Sequence, residues 1–412
     1  MALRGWQWCI RHWGSVAKRR CSLTRPSNWQ KKRWKKTVWI QSPWRKSARS
    51  SDRSMRCLRC RHLPLRWMRM TTGKRMTRRD GSPQGGRSMR VVFLGSADIA
   101  CASLQVLLDT EGIEVVGLVT QPDRPAGRGK RPASCPARAY SRDLGIECYA
   151  PERINSPDAL THIRAWRPDI GVVVAYGQIL KRDLLAIPPL GFINVHTSLL
   201  PKYRGASPIQ RAVANGDRET GVSIMQIDEG MDTGAVYAMR GVDIRETDTA
   251  SVVHDRLAAA GAGMLPAVLA GVREGRLPTV PQAHAYATLA PKLSKADGVL
   301  DWTQPARYLY NHIRGYNPWP GCSCYYAAGG ALRTLRVLEA RVECGALATP
   351  GTVMDGLGGL LVACSEGALR LLRVQPEGGC VMDATAFLCG RAVKVGDRFV
   401  VDRPTARGVS DH

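Results

Sequence analysis

From Met89 the chain alternates short β-branched runs with stretches of helical periodicity. The runs are Val91 to Leu94, Val115 to Thr120, Gly171 to Ala175, Phe192 to Val195 and Val222 to Ile227. They are almost continuously apolar, as strands buried on both faces are, and with the helical patterns between them they predict a parallel, doubly wound α/β sheet. Ser207 to Asn215 reads as one of the helices, entered through Ser207-Pro208 and left at Gly216. A longer helical pattern from Thr249 to about Glu274 closes the unit, which gives a first domain over 89–275. Residues 276–296 carry Pro278, Pro281 and Pro291 and read as a linker. Beyond it, Leu332 to Val342, Gly351 to Met354, Leu360 to Cys364, Ala368 to Val374 and Val393 to Val401 are short strands set off by Gly and Pro. That texture predicts a small β-barrel or sandwich over 297–405.

Composition changes this picture at one end. Residues 1–88 show no apolar period, hold eight of the eleven Trp, and contain 25 of the 60 Lys and Arg, opposed only by Asp52 and Asp80. The extension therefore carries +23 of the formal +26, and from Met89 onward 35 basic residues meet 32 acidic ones. Net charge says little about the folded part. Three readings of the extension stay open: a disordered RNA-binding arm, an organelle-targeting segment, or translated sequence upstream of a start at Met89. A cytoplasmic location is expected, or an organelle matrix if the extension is a targeting segment. Cys57 and Cys60 have metal-like spacing but no second pair, and the histidines show no ligand spacing, so no metal site is expected. Thirteen scattered Cys in so long a chain predict free thiols. The longest apolar stretch, Leu257 to Val272, is shorter than a bilayer span and broken by Gly and Pro, so no membrane partner is expected.

Candidate chemistry centres on the run Gly191-Phe-Ile-Asn-Val-His-Thr-Ser-Leu-Leu-Pro201. Asn194 and His196 stand two apart at the end of a strand, so they share a face. Strand ends of this kind line the ligand crevice of doubly wound sheets. Asp232 lies in a loop after another apolar strand, within Ile227-Asp-Glu-Gly-Met-Asp-Thr-Gly234. An amide, an imidazole and a carboxylate suit acyl-type transfer to an amine: the first two stabilise an oxyanion, and the third orients the imidazole or takes the amine's proton through a water. A satisfied structural pair is the competing account of Asn194 and His196. No Ser or Cys nucleophile stands beside a base at elbow spacing, which favours direct transfer over a covalent intermediate.

Asn194-Val-His196-Thr-Ser-Leu-Leu-Pro201, with Asp232 placed 36 residues after His196, resembles the signature of the 10-formyltetrahydrofolate-dependent formyltransferases. From Met89 to about Val401 the chain resembles the methionyl-tRNA-acting branch of that superfamily. The resemblance implies a Rossmann-like catalytic domain followed by an OB-like β-barrel that holds tRNA, with Asn194, His196 and Asp232 as the catalytic trio. It implies 10-formyltetrahydrofolate as co-substrate, held by Tyr176, Gly177, Ile179, Leu180, Ser198, Leu199, Leu200 and Pro201. Methionyl initiator tRNA is the implied acceptor and a monomer the implied state. Thr120 to Lys130 is similar to a loop that enters the acceptor stem, with Arg124, Arg128 and Lys130 as donors, and Lys292 belongs to a further family motif, Lys292-Leu-Ser-Lys295. Arg333, Arg336, Arg341, Arg370 and Arg373 are either a basic face of the barrel or ordinary solvated residues. The chain departs from the family at Gly95-Ser-Ala-Asp98, at Ala296-Asp297 and at Gln178. An amino-sugar or ribonucleotide amine as acceptor, and a non-catalytic RNA-binding protein, are the rival readings.

Overall fold

A computed structural model describes residues 87–126, 131–328, 331–345, 348–355, 359–390 and 393–401. The basic extension up to residue 86, with Cys57 and Cys60, lies outside them, as do Arg128 and Lys130. The first unit runs β1 (Met89–Gly95), α1 (Ile99–Asp109), β2 (Ile113–Val119), β3 (Arg124–Ala126), β4 (Arg131–Ala133), α2 (Pro136–Leu144), β5 (Cys148–Tyr149), α3 (Pro157–Ala165), β6 (Ile170–Val174) and α4 (Arg182–Leu185). It continues through β7 (Phe192–His196), α5 (Pro208–Ala214), β8 (Glu219–Gln226), β9 (Val236–Asp243) and α6 (Ala250–Arg273).

Seven of these strands form one sheet in the order β5-β2-β1-β6-β7-β8-β9. Side chains alternate across a strand, and the central strand shows the result. Val91 and Phe93 join one buried cluster with residues of α1, α5 and α6, while Val92 and Leu94 join another with residues of α3 and α4. Each such side chain withdrawn from water contributes about 1.5–3 kcal/mol, which is why the two-faced strands read as unbroken apolar runs. At Gly171 a Cβ would lie 2.0 Å from the Phe192 ring, so β6 and β7 pair here only because that residue has no side chain.

The expected parallel sheet needs one correction. Strands β5, β2, β1, β6 and β7 are parallel, but β7 pairs antiparallel with β8, and β8 with β9. The connection through the short α5 delivers the chain back beside His196 and sends β8 the opposite way, with Ile193 opposite Gln226. Thr249 caps α6, accepting from the Val252 N–H at 3.5 Å. By length and composition α6 is apolar enough to cross a membrane. In the fold its stripe of Val253, Leu257, Leu265 and Leu269 packs on the sheet.

After α6, residues 276–296 do not hang free. Val280 pairs with Val236, and Arg204 forms a parallel bridge with Leu289. The Arg204 N–H donates to the Thr288 carbonyl at 2.8 Å, the Ala290 N–H to the Arg204 carbonyl at 2.7 Å and the Ser207 N–H to the Ala290 carbonyl at 3.1 Å. The proline-rich stretch is thus a strap laced into the first unit.

The second unit comprises α7 (Ala306–Gly315), β10 (Cys322–Ala328), β11 (Ala331–Glu343), β12 (Val353–Asp355), β13 (Leu360–Ala363), β14 (Ala368–Pro376), β15 (Met382–Asp383) and α8 (Ala384–Cys389). Its antiparallel sheet runs β10-β11-β14-β13-β12, with β15 on β14. The segment read as a strand over Val393 to Val401 makes only isolated bridges, yet it sews the seam. Val400 pairs with Tyr325 on one edge strand, and Arg398 pairs with Thr352 beside the other. The sheet therefore curls around Trp302, Leu335, Leu371, Phe387 and Phe399 into a barrel. It docks through α7 on α5, where Arg211 donates to Asp297 at 2.8 Å and to the Tyr316 hydroxyl at 3.1 Å.

Candidate active site

Asn194 and His196 project from the same face of β7, as their spacing requires. Asp232 reaches them by a longer path than the sequence suggested. Because β8 is antiparallel to β7, the loop that leaves it starts beside the beginning of β7, with the Ile227 N–H on the Phe192 carbonyl at 2.9 Å. The loop then returns over the sheet face. There the Asp232 carboxylate accepts from Asn194 Nδ2 at 3.3 Å, lies 3.6 Å from His196 Nδ1 and accepts from the Gly205 N–H at 2.8 Å. Asp232 has a φ of +53°, a left-handed conformation that costs a non-glycine residue of order 1 kcal/mol. Gly205 has a φ of +118°, and a Cβ there would stand 2.8 Å from the Ala290 carbonyl oxygen. This glycine lets the strap come close enough for its own N–H to point at the carboxylate.

His196 is 6% exposed and both of its ring nitrogens face protein atoms. Nε2 lies 2.9 Å from the Tyr203 carbonyl, which can only accept, so Nε2 carries a proton. Nδ1 is then the nitrogen turned to Asp232. Asn194 is half-buried and spends one amide hydrogen on Asp232, and among the described residues its second N–H has no partner.

The trio borders a cavity of about 660 Å³. Its lining also includes the segment Ala175 to Leu180 at the end of β6, together with Ala97 from the first turn. Among the described residues, the N–H groups of Gly177, Gln178, Ile179 and Leu180 have no protein hydrogen-bond partner. A wall with spare backbone donors beside apolar side chains suits a flat heterocycle that offers acceptors. Tyr176 gives this wall only its backbone, because its ring is 2% exposed and packed in the core below, where burial pushes its hydroxyl pKa up. Ile179 stands at the rim, 79% exposed.

Of the expected folate contacts, Tyr176, Gly177, Ile179 and Leu180 line the cavity, whereas Ser198, Leu199, Leu200 and Pro201 do not. After Thr197 the chain turns into the protein. The Ser198 hydroxyl donates to the Lys202 carbonyl at 2.6 Å, Leu200 packs with Met225 and Val236, and Leu199 lies over Gly221. Those four residues build the turn that presents Tyr203 and Gly205. Arg124 is exposed on a β3–β4 hairpin whose tip lies outside the described residues, and it pairs with Glu152 at 3.6 Å. Lys292 is exposed on the strap, and neither it nor Arg124 lines the cavity. The five barrel arginines do not act alike. Arg341 and Arg370 both bind Glu343, at 2.8 and 2.6 Å, whereas Arg333, Arg336 and Arg373 are exposed. Gly205 and Ala97 line the cavity without having been among the expected site residues; Gly205 left a signal, as a glycine directly after Tyr203-Arg204.

Residues 89–269 match the formyl transferase family model, and residues 292–392 match the model for the formyl transferase C-terminal domain. The class is therefore that of the two-domain formyl transferases. Methionyl-tRNA formyltransferase from Roseiflexus castenholzii is 43% identical over 313 residues, 76% of this chain and 99% of that protein. The Symbiobacterium thermophilum enzyme of the same name is 45% identical over 317 residues, 76% of this chain and 95% of its own. The chain belongs to the methionyl-tRNA formyltransferase family. Among solved structures, an N-formyltransferase from Helicobacter canadensis superposes with a TM-score of 0.50 at 14% identity, covering 69% of this chain and 99% of that one, and shows the same fold.

Proposed function

We propose that the protein transfers a formyl group from 10-formyltetrahydrofolate to the α-amino group of methionyl-tRNA. The observation that carries this reading is the convergence of Asn194, His196 and Asp232 on one cavity in a chain that matches methionyl-tRNA formyltransferases over nearly their whole length. The wall from Ala175 to Leu180, with its spare backbone donors, suits the pterin ring of the donor. Bound there, the folate supplies an activated formyl carbon on a nitrogen leaving group.

The chain's own groups supply the rest. When the amine attacks the formyl carbon, negative charge grows on the formyl oxygen, and the uncommitted N–H of Asn194 is placed to stabilise it. Asp232 holds Asn194 in that orientation and is the acceptor for the proton the amine must shed, directly or through one water. Collapse breaks the bond to the folate nitrogen, which takes up a proton. His196 fixes the Tyr203 turn through Nε2 and backs Asp232 through Nδ1. It can donate to the oxyanion only by exchanging one of those contacts as the substrates bind. Arg124 on its hairpin and Lys292 on the strap, with Arg128 and Lys130 of the Thr120 to Lys130 sequence, supply phosphate and base-edge donors for the acceptor stem.

The test offers the purified chain 10-formyltetrahydrofolate with charged methionyl-tRNA, and in parallel with an amino-sugar nucleotide and a ribonucleotide amine. Formylation of the methionyl-tRNA at least a hundred times faster is the expected result. Preference for either small amine would overturn the choice of acceptor.

A further inference from the structure

The left-handed conformation of Asp232 has to be held from outside its own loop, and one side chain on the strap does this. Gln282 donates from Nε2 to the Asp232 carbonyl at 2.9 Å and to the Gly234 carbonyl at 2.8 Å, so both amide hydrogens are spent on the loop. Its Oε1 accepts from Arg204 Nε at 3.1 Å and Nη2 at 2.7 Å, which fixes the end of the amide that faces the loop. Arg204 is covalently followed by Gly205, whose N–H grips the Asp232 carboxylate at 2.8 Å. One aspartate is thus held at its carbonyl and its carboxylate by a single circuit drawn from three separate chain segments. Gln282 and Arg204 are each 7% exposed, so water does not readily replace a bond lost within it.

We infer that Gln282 is a positioning residue for Asp232: its amide, oriented by Arg204, holds the backbone conformation from which the carboxylate meets Asn194 and His196. An amide that merely fastened the strap would contact the loop anywhere. This one brackets residue 233, and turning the peptide it holds swings the carboxylate off its partners. The inference rests on the formyl-transfer reading and concerns the same site.

The full chain is assayed for formyl transfer from 10-formyltetrahydrofolate to methionyl-tRNA as wild type, Gln282→Glu and Gln282→Met, and with each substitution in an Asp232→Asn background under single-turnover conditions. Gln282→Glu keeps the acceptor for Arg204 and removes both donors; Gln282→Met keeps the length and removes every polar contact. The expected loss is about ten- to a hundredfold in kcat, as for a catalytic group displaced by a fraction of an ångström to an ångström. KM for both substrates should stay within twofold. In the Asp232→Asn background neither substitution should cost anything further, because the group being positioned is already gone. A kcat within twofold of wild type, a loss confined to KM, or the same proportional loss in both backgrounds overturns the inference. Unfolding of both variants would show a role in the fold at large and overturn it as well. A wild-type chain inactive on every amine sinks the underlying reading instead, whereas an active wild type with unaffected variants sinks only the role of Gln282.

Discussion

Replacing Asn194 with Ala separates oxyanion stabilisation from everything else this residue does. Among the described residues the side chain makes one hydrogen bond, at 3.3 Å to Asp232 Oδ1. Losing it costs about 0.5–1.5 kcal/mol of stability. For a protein of this size that is a fall of about 1–2 °C in melting temperature per kcal/mol. Asp232 stays in place, because the Gly205 N–H and the Gln282 amide hold it independently of Asn194. What is lost in full is the free N–H at the formyl oxygen, and removal of one such donor costs about 2.7–4 kcal/mol of transition-state stabilisation, or about a hundred- to a thousandfold in kcat. The measurement is single-turnover formylation of methionyl-tRNA at saturating folate, beside a melting curve of the same preparation. A kcat within threefold of wild type, or a loss carried by KM at unchanged kcat, would refute the assignment of the oxyanion to Asn194.

Three further outcomes follow from the same geometry. Gly205→Ala puts a Cβ at φ +118° and 2.8 Å from the Ala290 carbonyl oxygen, so it should cost about 1–3 kcal/mol and lower the urea midpoint; an unchanged midpoint would show that the strap yields freely. Hydrogen bonds from Arg370, then Arg341, lower the Glu343 carboxyl from 4.5 to about 2. A depressed folded pKa means stability present above the ordinary glutamate range and lost as pH falls from about 4.5 towards 2, so Glu343→Gln should melt below wild type at pH 7 and converge with it at pH 2; a gap that persists at pH 2 refutes the linkage. Lys292→Ala should weaken tRNA binding and reduce the slope of log affinity against log salt by about 1, while leaving binding of the folate alone unchanged. An unchanged slope removes Lys292 from the phosphate contacts.

The parts of this site that were legible in the sequence are those set by local period. Asn194 and His196 share a face because a strand has period two, and the near-continuous apolar runs announced a sheet covered on both sides. The direction of β8 was not legible. A run such as Val222 to Ile227 reads the same in a parallel or an antiparallel neighbour, and the reversal depends on where the α5 connection ends in space. Asp232, expected as a carboxylate in a loop after an apolar strand, does lie beside Asn194 and His196, though its loop starts at the opposite end of β7 because β8 is antiparallel. Its conformation left no trace in composition, since neither Met231 nor Thr233 marks a left-handed residue. The strap was the least legible element. Prolines at 278, 281 and 291 favour extended chain, and extended chain reads as a linker unless its partners are known. Those partners, Arg204, Val236 and the Asp232 loop, lie 44 to 86 residues earlier in sequence. A pattern of period two or 3.6 carries no information at that range. Part of what holds the Asp232 loop therefore comes from the segment whose sequence looked least structural, and on the proposed role of Asp232 changes there should be read in kcat before they are read in stability.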